Sequence, residues 1–234
     1  MLIGALGDIH GAFDTVQTIM KRHDTVPLWV CVGDVASNEG EYFEPVAPLY
    51  WIKGNNEDFD VIAEAMAGRP PAPTLHYLPN GGPYTVGPWK VAALGGTFAP
   101  SWYNTAAAAL PPSKGRKASP GLHGSLKLGK SRDDKRRHFV RDEVFACKAL
   151  KGVDVMLTHE APRPFYPAGR RIDAGKTVLN DVLAAMKPRL HLFGHHHEFT
   201  DSMRQGVRSI GLDVVTNSYL VIDAQTFRTE RLDT

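Results

Sequence analysis

Two cysteines among 234 residues, Cys31 and Cys147, leave no room for a disulfide framework, and they form no C-x-x-C pair. Both are expected to be buried, reduced thiols in a cytoplasmic protein. No apolar run approaches the roughly 20 residues a membrane-spanning helix needs. The first run is too short for a signal peptide, has no basic leader, and contains Asp8 and His10. No internal repeat and no domain linker is visible, and the length suits one large domain over residues 1–234 better than two. Neither sign of charge dominates, since 27 Lys/Arg face 25 Asp/Glu. The composition, 43% hydrophobic and 22% charged, is that of an ordinary soluble globular chain.

The near-zero balance hides an asymmetry. Between Pro111 and Arg141 stand ten Lys/Arg against two Asp/Glu, a local charge of +8 that leaves −6 for the remainder. Such a segment can focus an anionic partner. It falls in an irregular, proline-, glycine- and lysine-rich insert at about 97–137, long enough to suggest a functional loop.

The informative pattern is five apolar runs, each ending in residues able to bind a metal. Leu2–Leu6 leads to Asp8 and His10, Leu28–Val32 to Asp34, and Tyr50–Lys53 to Asn55 and Asn56. Val153–Leu157 leads to His159, and Arg189–Phe193 to His195, His196 and His197. Short apolar runs stopped by glycine or threonine read as buried strands. In open α/β sheets, ligands gather at the carboxyl ends of such strands. Helices are predicted from the region of Asp14 through His23, over 58–67, 133–150 and 176–186. A meander is predicted over 76–94, turning at Asn80-Gly81-Gly82 and Gly87-Pro88. Three further strands, 207–212, 218–223 and 227–232, are predicted to close a second sheet.

Each motif alone is weak, and Gly33-Asp34 by itself is more often a turn. The order Asp8-x-His10, Gly33-Asp34, Gly54-Asn55-Asn56-Glu57, Thr158-His159, Gly194-His195-His196-His197 is not. Over nearly the whole chain it resembles the calcineurin-like metallophosphoesterase superfamily, including the glycine pair Gly95-Gly96. The resemblance implies an α/β fold: a four-layer α/β/β/α sandwich of two mixed sheets with two divalent metal ions at one edge. It implies Asp8, His10, Asp34 and His197 around one ion and Asp34, Asn55, His159 and His195 around the other, with Asp34 bridging and His196 pointing away. Imidazole, carboxylate and amide together suit manganese, with iron, zinc or nickel as alternatives, better than calcium or magnesium. Such a centre makes a metal-held hydroxide nucleophile available near neutral pH. The activity expected is therefore phosphoester hydrolysis, with phosphodiesters as the substrate class.

One position departs from the family's pattern. Asn56 stands where members active on broad phosphomonoesters carry a histidine, and an amide has no proton to give at useful pH. Losing a general acid costs about 10²–10⁴ in rate, most with poor leaving groups. Diesters or esters with good leaving groups are therefore expected as substrates. Arg163 could reach a phosphate oxygen or be a plain loop arginine. Glu57 is expected to orient its loop, and His191 to be a core histidine. His76, His123 and His138 could replace the missing proton donor, or simply be surface residues. Trp102 and Tyr103 could line the pocket or anchor the insert.

Two rival functions arise from the same residues. The glycine pair, arginine-containing insert and isolated histidine are similar to the lariat-debranching branch of the superfamily, which would make the chain a nuclease acting on RNA or DNA. Few aromatics interleave with the charges, so no base-stacking platform is evident, and a solvated loop explains the same residues. A non-catalytic metal-binding scaffold is the other rival; a decayed site should lack ligands, and all seven positions are intact. No membrane and no protein partner is indicated.

Overall fold

The computed structural model describes residues 1–113, 118–120, 126–128 and 133–234. Most of the basic stretch from Lys114 to Arg132, and His123 with it, lies outside the described residues. Among the described residues, sixteen strands and four α-helices succeed one another in chain order: β1 (Leu2–Leu6), α1 (Phe13–Arg22), β2 (Trp29–Cys31), β3 (Leu49–Trp51), α2 (Phe59–Met66), β4 (Leu75–Tyr77), β5 (Gly81–Val86), β6 (Trp89–Leu94) and β7 (Thr97–Phe98). Then come β8 (Ala118–Pro120), β9 (Leu126–Leu128), β10 (His138–Phe139), α3 (Arg141–Ala149), β11 (Val155–Thr158), α4 (Thr177–Met186), β12 (Leu190–Phe193), β13 (Thr200–Arg204), β14 (Val207–Gly211), β15 (Ser218–Asp223) and β16 (Thr229–Asp233).

Two six-stranded mixed sheets carry the fold, ordered β16-β15-β1-β2-β3-β4 and β13-β14-β12-β11-β6-β5. Strand alternation places their side chains in layers. Ile3, Val30 and Ile52 from the first sheet meet Val91, Val155, Leu157 and Leu192 from the second in one buried core. The opposite face of the first sheet, with Leu6, Trp29, Cys31 and Trp51, packs on Val16, Ile19 and Met20 of α1 and on Phe59 and Ile62 of α2. The outer face of the second packs Ala92, Leu94 and Met156 on Val144 and Cys147 of α3 and on Leu179, Val182 and Leu183 of α4. Three cores between four layers are the α/β/β/α sandwich that the family resemblance implies. Both cysteines are free and buried, and burial pushes the Cys147 thiol up to about 12. Among the described residues no helix is long and apolar enough to cross a membrane.

Three expectations need correction. The segment 76–94 is not one meander: β4 pairs parallel with β3, whereas β5 and β6 form a hairpin in the other sheet. Asn80 lies at the crossover and is tied by its side chain to the Gly95 backbone N–H at 2.6 Å and carbonyl at 3.3 Å. The tail strands also divide between the sheets. β14 runs parallel to β12 beside the edge strand β13, which the sequence pattern misses, while β15 pairs antiparallel with β1. Finally, the helix expected over 133–150 covers only its second half. His138 and Phe139 pair with Thr97 and Phe98, and α3 starts where Glu143 accepts from the Val140 N–H at 2.9 Å.

Candidate metal centre

Strands β1, β2 and β3 run parallel in one sheet, as do β6, β11 and β12 in the other. Their carboxyl ends bring the loops bearing Asp8, Asp34, Asn55, His159 and His195 to one edge. The backbone there is unusual. His10, Asp34, His195 and His197 have φ of 49°, 54°, 70° and 52°, a left-handed region that non-glycine residues seldom occupy. Such strain persists where surrounding structure over-determines it, and it clusters at functional sites. Close approach adds a second constraint. A Cβ at Gly54 would run into the Asp34 carboxylate, and one at Gly194 into that of Asp8, so only glycine fits at either position.

All seven sequence-predicted ligands converge. His197 Nε2 lies 3.0 Å from Asp8 Oδ2 and 3.1 Å from His10 Nε2. His10 Nε2 is 3.7 Å from both Asp8 Oδ2 and Asp34 Oδ2. On the other side, Asp34 Oδ2 is 3.7 Å from His159 Nε2, which stands 3.0 Å from Asn55 Oδ1 and 3.2 Å from His195 Nδ1. The Asp34 oxygen thus faces both halves of the cluster.

The placement of protons tests whether a cation fits. His159 Nδ1 sits 2.8 Å from the Val32 carbonyl and must donate to it. In a neutral ring, Nε2 then carries a lone pair, yet it faces the oxygens of Asn55 and Asp34. Acceptors aimed at acceptors are what a cation's ligands look like. Without a cation, protonation is the substitute: burial opposes a charged His159, but Asp34 and Asp8 outweigh it and raise its pKa. Burial would likewise raise Asp8, but the His197 hydrogen bond, the charge of His159 and the His195 N–H hold it below its ordinary value. His195 is pushed down to about 3 by burial, with His159 adding repulsion. The groups Asp8, His10, His197 and Asp8, Asp34, His159 each offer ligand atoms close enough to hold an ion.

The supporting residues are partly those expected. Glu57, buried, accepts from the N–H groups of Val35 at 3.0 Å, Ala36 at 3.3 Å and Gly54 at 3.3 Å, and from the Tyr42 hydroxyl at 2.9 Å. It therefore lashes the loop after β2 to the loop after β3. Asn56 turns inward, its backbone N–H 2.7 Å from Asp34 Oδ1 and its side-chain amide 2.8 Å from Asp34 Oδ2. His196 points away and stacks on Phe165 at 4.5 Å. His191 is a core histidine, bonded to Thr158 Oγ1 at 2.8 Å and Ser209 Oγ at 3.1 Å.

Other candidates lie outside the cluster. Arg163 Nε is 2.6 Å from Asp173 and is held there rather than against the ligands. His138 is engaged by Thr97 at 3.0 Å, and His76 stacks on Tyr50 in the first sheet. Tyr103 packs on Phe98 and anchors its loop. Sequence reasoning missed Lys53, buried, whose ammonium donates to the Arg136 and His138 carbonyls at 2.9 and 3.0 Å. It also missed Glu160, which accepts from the Phe98 N–H at 2.6 Å and pairs with Lys176. The only hint of either was adjacency to a ligand loop.

A two-sheet sandwich gathers imidazoles and carboxylates on one edge, where they could hold a divalent ion. The model of the calcineurin-like phosphoesterase superfamily domain matches residues 1–212, and the chain belongs to that family. The lariat debranching enzyme of Schizosaccharomyces pombe is 24% identical, aligned over 86% of this chain. The chain spans about half that relative's length, 49%. The crystal structure of the Thermus thermophilus protein TT1561 superposes with a TM-score of 0.61 at 14% identity, covering 99% of this chain and 98% of that one. An archaeal protein described as a novel phosphodiesterase covers each chain completely at a TM-score of 0.50 and 11% identity. Those two structures show the shared fold.

Proposed function

We propose that the chain hydrolyses phosphodiesters with two divalent ions, manganese first among them. Asp8, His10, Asp34 and His197 would hold one ion, and Asp34, Asn55, His159 and His195 the other. The observation that carries the reading is the Asp34 carboxylate, buried between two imidazole groups with one oxygen 3.7 Å from His10 and 3.7 Å from His159. When bound there, two divalent ions would make a nucleophile available from water near neutral pH and offset charge on a phosphoryl oxygen. The chain's own part is positional. Asn56 donates to Asp34 and fixes the carboxylate's rotation, while Glu57 holds the two loops at a set spacing. Neither Asn56 nor Arg163, paired with Asp173, offers a leaving alkoxide a proton, which favours esters with good leaving groups, diesters among them. Two free, buried thiols support a cytoplasmic setting.

A second reading, hydrolysis of RNA or DNA, is favoured by the similarity to a lariat debranching enzyme and by the basic segment between Pro111 and Arg141. One comparison tests the main reading: aryl mono- and diesters of phosphate with manganese-loaded protein, beside Asp34→Asn. The diester should turn over faster, and the variant should lose more than about 100-fold. Preference for the monoester, or an Asp34→Asn protein as active as wild type, would overturn it.

A further inference from the structure

At the cluster opens a polar cleft of about 640 Å³, lined by His195, His196 and His197 and by Arg170 and Lys176. Arg170 and Lys176 belong to the loop between β11 and α4, whose charges are already largely spoken for. Arg163 pairs with Asp173, and Asp173 also accepts from the N–H groups of Phe165 and Gly175 at 2.8 and 2.9 Å. Lys176 Nζ is 3.3 Å from Glu160 and donates to the Ala174 carbonyl at 2.8 Å. The acid lining the cleft, Glu198, accepts from the Ala168 N–H at 2.8 Å and so ties the loop to the residue after His197. Arg170 differs. It is exposed, lines the cleft, and among the described residues no carboxylate pairs with its guanidinium. A planar guanidinium left free beside a site for one phosphate suits a second phosphate, which it can grip with two parallel N–H bonds.

We propose that Arg170 binds a second, non-scissile phosphate, so that the preferred substrates are phosphodiesters carrying a further phosphate beyond the one cleaved. The inference rests on the phosphoesterase reading and deepens it. Lys176 stiffens the loop through Glu160, and Glu198 sets its height over the imidazoles. The further phosphate could come from a mononucleotide or from a polynucleotide backbone, since the guanidinium meets the same oxygens in both.

The test uses the manganese-loaded full chain and two esters: thymidine 5′-(p-nitrophenyl phosphate) with a free 3′-hydroxyl, and the same ester with a 3′-phosphate. Wild type should favour the 3′-phosphorylated ester in kcat/KM by about tenfold or more, the worth of one charge-assisted contact. Arg170→Ala should bring that ratio to about one, whereas Arg171→Ala, at an exposed residue that does not line the cleft, should keep it. Calorimetry should show thymidine 3′,5′-bisphosphate binding wild type more tightly than thymidine 5′-phosphate, with the gap closing in Arg170→Ala. Competition by a short oligothymidylate against the bisphosphate tells polymer from mononucleotide, the stronger competitor losing more in the variant. Equal kcat/KM for the two esters in wild type, or an unchanged ratio in Arg170→Ala, overturns the inference and leaves the phosphoesterase reading standing. Hydrolysis of neither ester overturns both.

Discussion

Replacing Glu57 by glutamine changes one atom and should loosen two loops. Glu57 is 3% exposed, and its carboxylate accepts at Oε1 from Val35 and Gly54, and at Oε2 from Ala36 and Tyr42. An amide keeps only one acceptor oxygen. With that oxygen left at the Val35 and Gly54 side, its NH2 would meet the Ala36 N–H donor to donor. The Tyr42 hydroxyl can rotate to accept, but a backbone N–H cannot. Loss of one bond to a buried charged acceptor, and weakening of the others as the charge disappears, should cost about 2–4 kcal/mol. For a chain of this size, at about 2–4 °C per kcal/mol, Tm should fall by roughly 4–16 °C. Urea denaturation of metal-free protein should show a lower midpoint with an unchanged slope. Because the same carboxylate spaces the loops bearing Asp34 and Asn55, manganese affinity should fall by about 10- to 100-fold in calorimetry. A Tm within about 1 °C of wild type, together with unaltered manganese affinity, would refute the reasoning.

Asn56→His should raise hydrolysis of an alkyl phosphomonoester by about tenfold or more by supplying a proton donor, and unchanged rates would count against the proton-donor argument. Gly54→Ala should abolish manganese binding in calorimetry and lower Tm, because the new methyl meets both the carboxylate and the backbone nitrogen of Asp34; manganese affinity equal to wild type would refute this. Manganese at about a thousand times its Kd should stabilise by about 4 kcal/mol per site and raise Tm, a shift that chelator reverses; no shift would contradict the assigned ligands. Burial lowers the His191 pKa to about 3 in the folded chain. Between that value and roughly 6.5 the unfolded chain binds the extra proton, so stability is full above the window and drains away as pH falls through it, by at most about 5 kcal/mol. Comparing urea midpoints across pH for wild type and His191→Gln checks this, the variant showing the shallower decline.

The strand-end residues able to bind a metal were legible in the chain because their placement obeys local rules, whereas the ligand set itself was what the family resemblance implied. Apolar runs of strand length stopping at Gly7, Gly33, Gly54, Thr158 and Gly194 mark where a buried strand ends, and the next residues must stand at the sheet's edge. Helices α1, α2 and α4 were legible for the same kind of reason. Their apolar residues recur at helical spacing, and Asp58 caps α2 by accepting from the Asp60 N–H at 3.0 Å.

Only the tertiary structure decided which sheet each strand joins. A run such as Leu75–Tyr77 or Ser218–Asp223 can serve either sheet. The choice falls to its partners: β3 for one and β1 for the other. The same holds for the shortened α3, since His138 and Phe139 take a strand conformation against Thr97 and Phe98, about forty residues away. The Glu57 lashing, the left-handed backbone at His10, Asp34, His195 and His197 and the free guanidinium of Arg170 were invisible for one reason. Each depends on distances between groups remote in sequence, whereas periodicity and stop signals report only on neighbours along the chain.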